Sequence, residues 1–155
     1  MTKEIMRQKA TENPYLHKDF HIAFNYAIDY LYKKFGREAV REYLIQFATV
    51  YYSPLKSAIK EKGLQAIKEH YKKVYEIESA EFDINLSCNE LIINLSASPA
   101  IIHIKNSGHP VSEVYSDSVA TVIETICMDT PIDVELLEYH EHNGAYRIRF
   151  FRRQE

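Results

Sequence analysis

The chain has 155 residues, 46% of them hydrophobic and 26% charged, which is the composition of a soluble globular domain. The formal net charge of -3 at pH 7 excludes the strongly basic field that attracts nucleic acid, and no apolar run approaches the roughly 20 residues that cross a bilayer. With two cysteines and no signal-peptide core at the start, we expect one cytoplasmic domain over residues 1–155, loosely ordered over 1–13, with neither a membrane nor a nucleic-acid partner.

Four helices are predicted in the first half of the chain. The first covers Tyr15–Phe35, in which large apolar residues recur at helical steps of three and four. The members of this stripe are Leu16, Phe20, Phe24, Ala27 and Leu31. The next three helices begin after Gly36, at Ser53-Pro54 and after Gly63, because glycine ends helices and proline suits their first turn. Their predicted ranges are Arg37–Tyr52, Pro54–Lys62 and Leu64–Tyr75.

The apolar period changes to two after the fourth helix. Residues 82–86 and 91–95 alternate apolar and polar side chains around a short polar turn, which is typical of an antiparallel hairpin. Residues 99–107 form a short apolar run that suits either a helix or a strand. We favour a helix because Ser98 can cap its start and Gly108 lies just beyond its end. A further helix is predicted at Asp117–Cys127.

A second hairpin is predicted at the end of the chain. Its strands, Val134–His140 and Tyr146–Arg152, flank Asn143-Gly144, the preferred pair of a two-residue type I′ turn. Such a turn would place Tyr139 opposite Ile148. The predicted fold class is therefore α+β: N-terminal helices pack on an antiparallel sheet of about four strands, with a helical segment between the two hairpins.

Two histidines of the first predicted helix are the leading candidates for chemistry. His17 falls on the apolar stripe and His21 at its edge, one helical turn apart. Such a pair can act in catalysis or bind a ligand, and with a third ligand it can hold a divalent metal ion. The alternative is structural, with His17 hydrogen-bonded in the core and His21 half exposed. The metal is the least favoured interpretation, and no cofactor is expected.

The second half of the chain resembles a known family. Ser98-Pro99 precedes helical segments, and the terminal hairpin carries Gly144, Ile148 and Phe150 at the spacing Gly-x-x-x-Ile-x-Phe. This order is similar to the bacterial family named for L-2-amino-thiazoline-4-carboxylic acid hydrolase and, more distantly, to vinyl-reductase-type small-molecule-binding domains. The family has Cys-Pro and Gly-x-x-x-Cys-x-Phe, so Ser98 and Ile148 replace its cysteines. The resemblance implies an α+β fold with a pocket, and hydrolysis of a C–N or cyclic amidine-like bond in a small carboxylate.

Four more residues complete the candidate site. Ser98 is interpreted either as a helix cap or, beside a base, as a hydroxyl nucleophile or anion contact at a helix start. His103 and Glu124 are candidate ligand contacts on the two later helices, although an exposed carboxylate would also explain Glu124. Tyr139 is expected to face the first helix from the last hairpin. Together with His17 and His21, these residues are predicted to surround a small-molecule ligand.

Three functions are compatible with the sequence. The first is a hydrolase with a histidine as general base, and the second is a non-catalytic sensor that binds a small molecule. The third is a structural or interaction protein without a pocket. A homodimer is a further expectation, because the helices present tyrosines that suit an interface. These tyrosines are Tyr43, Tyr51 and Tyr52.

Overall fold

A computed structural model describes residues 18–154 of the chain. Within this range the α+β prediction is confirmed, with six helices and a four-stranded antiparallel sheet. The elements are α1 (Lys18–Phe35), α2 (Arg37–Tyr51), α3 (Ser53–Lys62), α4 (Leu64–Ile77), β1 (Phe82–Leu86), β2 (Glu90–Leu95), α5 (Pro99–Asn106), α6 (Tyr115–Cys127), β3 (Ile132–His140) and β4 (Ala145–Arg152). None of these helices combines the length and the apolar character that a membrane crossing requires.

The sheet joins the two hairpins through the last strand of the chain. Its order is β1-β2-β4-β3, so β4 lies between β2 and β3. Ile93 on β2 pairs with Ile148 on β4, and Leu91 pairs with Phe150. All four side chains are fully buried, because one face of the sheet is covered by helices.

The predicted register of the second hairpin is wrong. The loop has four residues, not two, and Gly144 N–H closes it by donating to His140 O at 2.7 Å. Tyr139 therefore pairs with Tyr146 instead of Ile148. A β-bulge at Leu137 adds a further shift, which leaves Leu137 44% exposed.

The longer loop has a physical cause in the side chain and backbone of Asn143. Its Oδ1 accepts a hydrogen bond from Ala145 N–H at 3.0 Å, and its Nδ2 donates to Ser96 O at 3.1 Å. Its carbonyl accepts from Ser98 N–H at 2.9 Å. Asn143 thus ties the hairpin tip to the start of α5, a contact that a local turn rule does not include.

The buried apolar residues form two separate hydrophobic cores, each packed by a different set of helices. The larger lies between the sheet and helices α3, α4 and α6, and includes Ile67 and Ile126. The smaller lies where α1, α2 and α5 meet the start of α6, and includes Ile28, Leu44 and Ile104. Helix α1 therefore packs on other helices, and the cleft described below opens beside it.

The buried side of α1 differs from the predicted apolar stripe. Phe20 is 44% exposed, whereas Asn25 and Ile28 are buried. The reason is the neighbour of the helix: α1 packs against the loop between α5 and α6, whose backbone needs polar partners. Asn25 Nδ2 donates to Pro110 O at 2.9 Å, and Asn25 Oδ1 accepts from Ser112 N–H at 2.8 Å. A polar residue is therefore required in the middle of this face.

We expect Asn25→Ala to lower the free energy of unfolding by about 1–3 kcal/mol, because it leaves the buried Ser112 N–H and the partly buried Pro110 carbonyl without their partner. Urea denaturation measures the loss. The matched control is Gln46→Ala on the exposed side of α2, which should change stability by less than about 0.5 kcal/mol. Equal effects of the two substitutions would contradict the anchoring role of Asn25.

Candidate functional site

A cleft of about 290 Å³ opens between the turn after α4 and the flank of α5. Its wall combines titratable and polar side chains with an apolar strip of Ala97, Pro99 and Ile102. The polar members are Lys18, Glu78, Ser79, Glu81, His103 and Asn106. A space of this volume suits a small molecule that has both an apolar and a polar side.

His21 and Glu78 form a hydrogen-bonded pair at this cleft. His21 Nε2 lies 2.9 Å from Glu78 Oε1, and the two side chains are only 19% and 17% exposed. The pair links α1 to the residue that caps the C-terminal end of α4.

His103 brings a second imidazole to the same place. It lines the cleft from α5, and its ring centroid lies 6.5 Å from that of His21. Its Nε2 is buried and has no hydrogen-bond partner in the described part of the chain. An unpaired buried nitrogen costs about 1–3 kcal/mol.

Ser98 acts as the N-cap of α5. Its Oγ accepts from Ile101 N–H at 3.4 Å, and its carbonyl accepts from Ile102 N–H at 3.0 Å. Pro99 contributes no N–H, so in the first turn only Ala100 keeps a free donor, and Ala100 is buried. The helix start is therefore a poor anion contact, and the Ser98 hydroxyl already has a structural partner.

Glu78 also adjoins a buried group of tyrosines. Burial raises the pKa of Tyr52 to about 12, and the nearby charge of Glu78 adds to this shift. Burial also raises the pKa values of Tyr75, Tyr115 and Tyr146, again with a contribution from Glu78. The hydroxyls of Tyr75 and Tyr146 are hydrogen-bonded to each other. Glu78 thus lines the cleft, and its charge also acts on the buried tyrosines.

The other predicted site residues lie elsewhere. Tyr139 is half-buried on β3 beside Tyr146, and burial raises the pKa of its hydroxyl to about 12. That hydroxyl has no hydrogen-bond partner within residues 18–154, but Tyr139 does not line the cleft. Glu124 is exposed on α6 and lines a second, strongly charged depression with Arg37 and Arg41. The structure therefore brings His21 and His103 together and leaves Tyr139 and Glu124 apart from them.

His17 lies outside the described residues, as does the segment 1–13. Between residues 18 and 154 no group of three or more histidine, cysteine, aspartate or glutamate side chains could hold a metal ion. Glu78, the acidic partner of His21, already uses Oε1 in that hydrogen bond. The imidazole and carboxylate groups of the cleft can take part in proton transfer and hydrogen bonding.

Sequence patterns missed Glu78, Ser79 and Glu81. They follow α4 in a stretch without glycine or proline, which gave no sign of a turn. The partner of Glu78 is 57 positions away along the chain, so no local spacing could reveal the pair. A usable signal was present in the composition, since residues 78–81 carry two carboxylates and one hydroxyl immediately after a helix.

Comparisons of the chain with protein-family models, curated proteins and solved structures give no match. The role of the cleft has to be inferred from its own side chains.

Proposed function

We propose that this is a cytoplasmic small-molecule-binding protein whose ligand occupies the cleft between the turn after α4 and helix α5. The observation that carries the proposal is that Glu78 and His103 line one cleft of about 290 Å³, with His21 held beside Glu78 by a hydrogen bond. An imidazole and a carboxylate that line one concave surface are a common arrangement in binding and catalytic sites. The imidazole of His103 gives the cleft a group that can donate or accept a hydrogen bond.

The reaction we propose is hydrolysis of a C–N bond in a small carboxylate with an amidine-like group, in line with the family resemblance. Water adds to the amidine carbon, which forms a C–O bond, and the C–N bond then breaks. The imidazole of His103 accepts the water proton and returns a proton to the leaving nitrogen. Glu78 holds the ring of His21 in place through its hydrogen bond.

Water is proposed as the attacking group because the thiols and the capping serine are poorly suited to attack. The Ser98 hydroxyl accepts a helix hydrogen bond. Cys127 is buried, and burial raises the pKa of its thiol to about 12, so the thiolate is scarce at neutral pH. Cys88 is exposed in the turn between β1 and β2, away from the cleft.

A second proposal is that the cleft belongs to a non-catalytic sensor. The observation that favours it is that Glu78 lines the cleft while its charge also helps to raise the pKa values of the buried tyrosines. A ligand that pairs with Glu78 would change the electrostatic field at the hydroxyls of the buried tyrosines. The change would in turn alter the conformation of the protein interior. A homodimer is part of this proposal, because Val50 and Tyr51 are 77% and 64% exposed at the end of α2.

Turnover and binding separate these proposals. Wild-type protein is incubated with small carboxylates bearing amidine groups, including 2-amino-thiazoline-4-carboxylic acid, and followed by thermal shift and mass spectrometry. We expect a saturable rise in Tm and a ring-opened product, with His103→Ala lowering kcat at least about 100-fold, as expected for loss of a general base. The control is His140→Ala on the exposed tip of β3, which should leave kcat unchanged.

Each alternative outcome has a definite meaning. Binding without product would support the sensor and refute the hydrolase. No shift in Tm and no product with any of these compounds would contradict both proposals. Full turnover by His103→Ala would show that this histidine is not the general base.

A further inference from the structure

The two edges of the sheet differ in how well they are protected against pairing with another strand. β1 and β3 are the edge strands, because the strand order is β1-β2-β4-β3. β3 is interrupted by the bulge at Leu137 and carries acidic side chains along its length, at Asp133, Glu135 and Glu138. Bulges and repeated charges are common means by which proteins block a sheet edge. β1 pairs with β2 without a bulge and contains neither proline nor lysine.

The free edge of β1 presents backbone hydrogen-bonding groups at every second residue. Ser87 N–H donates to Glu90 O at 2.8 Å, which sets the alternation, so the odd-numbered residues of β1 bond to β2. The N–H and C=O groups of the even-numbered residues, Phe82, Ile84 and Leu86, therefore point away from β2. No other strand within residues 18–154 pairs with this edge.

The side chains of the same three residues are incompletely covered. Phe82, Ile84 and Leu86 face the helices and pack on the larger core, but each stays half-buried. On the neighbouring strand β2, Leu91 and Ile93 are 0% exposed. The helices thus cover β2 fully and β1 only in part. Another apolar strand beside β1 would extend the covered surface.

The sequence of β1 is complementary to itself in one antiparallel register. A two-fold axis through Ile84 sets Phe82 opposite Leu86 of a second copy, so apolar side chains meet on the covered face. On the open face the same axis sets Asp83 opposite Asn85 of the second copy. Asn85 Nδ2 donates to Asp83 Oδ2 of its own strand at 2.5 Å, and the amide has a second N–H for the carboxylate of the other copy.

Other antiparallel registers with the same faces aligned are less favourable. An axis through Asp83 would place two carboxylates directly opposite each other, which is destabilising. An axis through Asn85 would leave both aspartates without an amide from the second copy. Each of these shifts also leaves one outward-facing residue of β1 without a backbone partner. Only the axis through Ile84 pairs every outward N–H and C=O group of the strand.

We propose that a second copy of this chain pairs with the free edge of β1, so that two sheets join into one continuous antiparallel sheet with two-fold symmetry. Backbone hydrogen bonds supply the attraction, and the alternation of Asp83 and Asn85 fixes the register. The pairing uses no residue of α2, so it differs from a contact through the exposed end of that helix. It is also independent of the function proposed for the cleft.

Asn85→Asp is expected to weaken the dimer, because it places carboxylates opposite each other at two symmetric positions. Sedimentation of the full chain should show Kd for dimerisation raised at least about tenfold. The matched control is Asn89→Asp, which adds the same charge in the turn beyond β1 and should leave Kd unchanged. The double variant Asp83→Asn, Asn85→Asp exchanges the two side chains, so each amide again faces a carboxylate. It should restore Kd to near the wild-type value.

Amide hydrogen exchange of the wild type tests the same pairing without a substitution. Exchange at Phe82, Ile84 and Leu86 should slow as the protein concentration rises, because only the second copy pairs with their N–H groups. The amides of Asp83 and Asn85 bond to β2 and should be protected at every concentration. The expected result is therefore an alternating pattern of concentration dependence along one strand.

Three results would overturn the proposal. The first is a wild type that stays monomeric at the concentrations used for NMR. The second is a double variant that folds but dimerises no better than Asn85→Asp. The third is a dimer in which the amides of Phe82, Ile84 and Leu86 exchange as fast as in the monomer. Disruption of such a dimer by Val50→Lys would place the contact at the end of α2, where Val50 is 77% exposed. Circular dichroism checks that each variant folds.

Discussion

Gly144→Ala is expected to lower the free energy of unfolding by about 2–5 kcal/mol, from left-handed strain and overpacking combined. Gly144 has φ of 67° in the loop of the second hairpin. A Cβ built there would lie 2.7 Å from Ser98 Cβ and 2.9 Å from Ile101 Cγ1. Both neighbours belong to the start of α5, so the hairpin tip and the helix would have to separate.

Comparison with Gly108→Ala separates the cost of overpacking at Gly144 from the cost of backbone strain. Gly108 also has positive φ, 78°, but a Cβ there would meet no atom within 4 Å. Its substitution should cost only the backbone strain, about 1–2 kcal/mol. Chemical denaturation of both variants gives the difference directly. Equal losses at the two positions would show that the hairpin tip does not press against α5.

Acidification from pH 6.5 to pH 4 is expected to remove about 2–3 kcal/mol of stability through His70 alone. Burial lowers the pKa of His70 to about 4 from its ordinary 6.5, and the charge of Lys73 adds to the effect. The folded protein thus keeps His70 neutral where the unfolded chain protonates it. The contribution of His70 to the free energy of unfolding is therefore fully present above pH 6.5 and is lost as the pH falls toward 4.

His70→Gln should reduce the loss of unfolding free energy that accompanies acidification from pH 6.5 to pH 4. The ring of His70 packs edge-on against Tyr52 and Tyr71, so the substitution also lowers stability at pH 7 through lost contacts. The informative quantity is the slope of unfolding free energy against pH between 4 and 6.5. His140→Gln, on an exposed strand end, is the control. An unchanged slope in His70→Gln would refute the assignment.

Local signals predicted most element boundaries. Gly36 and Gly63 end helices with positive φ, as expected, and Ser53 begins α3. Ser98 caps α5, so the ambiguous segment 99–106 is a helix, the favoured alternative. Each of these features depends on a few neighbouring residues, and for that reason the sequence alone was sufficient.

Features that depend on distant contacts were predicted poorly. The hairpin register failed because Asn143 bonds to Ser96 and Ser98 instead of forming a two-residue turn. The buried side of α1 was predicted only in part: Phe24 and Leu31 pack on the core, but Asn25 is also buried because a loop about 85 positions later needs it. A prediction from apolar spacing places asparagine on the surface, where it usually lies, and takes no account of a specific hydrogen-bond partner elsewhere in the chain.

The candidate site was likewise predicted where local sequence was sufficient and missed where distant residues meet. His21 was recognised at the edge of the stripe of α1, and its half-buried position agrees with that prediction. Its partner Glu78 was missed, since it meets α1 only after the chain has folded. Tyr139 was expected to face α1 in the site, but the corrected register pairs it with Tyr146.

The most direct test of the central claim is an NMR titration of the histidine side chains with 2-amino-thiazoline-4-carboxylic acid. The account predicts that the ring resonances of His21 and His103 shift together and saturate at one dissociation constant, while those of exposed His140 stay in place. Rings of His21 and His103 that remain unchanged throughout the titration, or that move no more than His140, would contradict a ligand in this cleft.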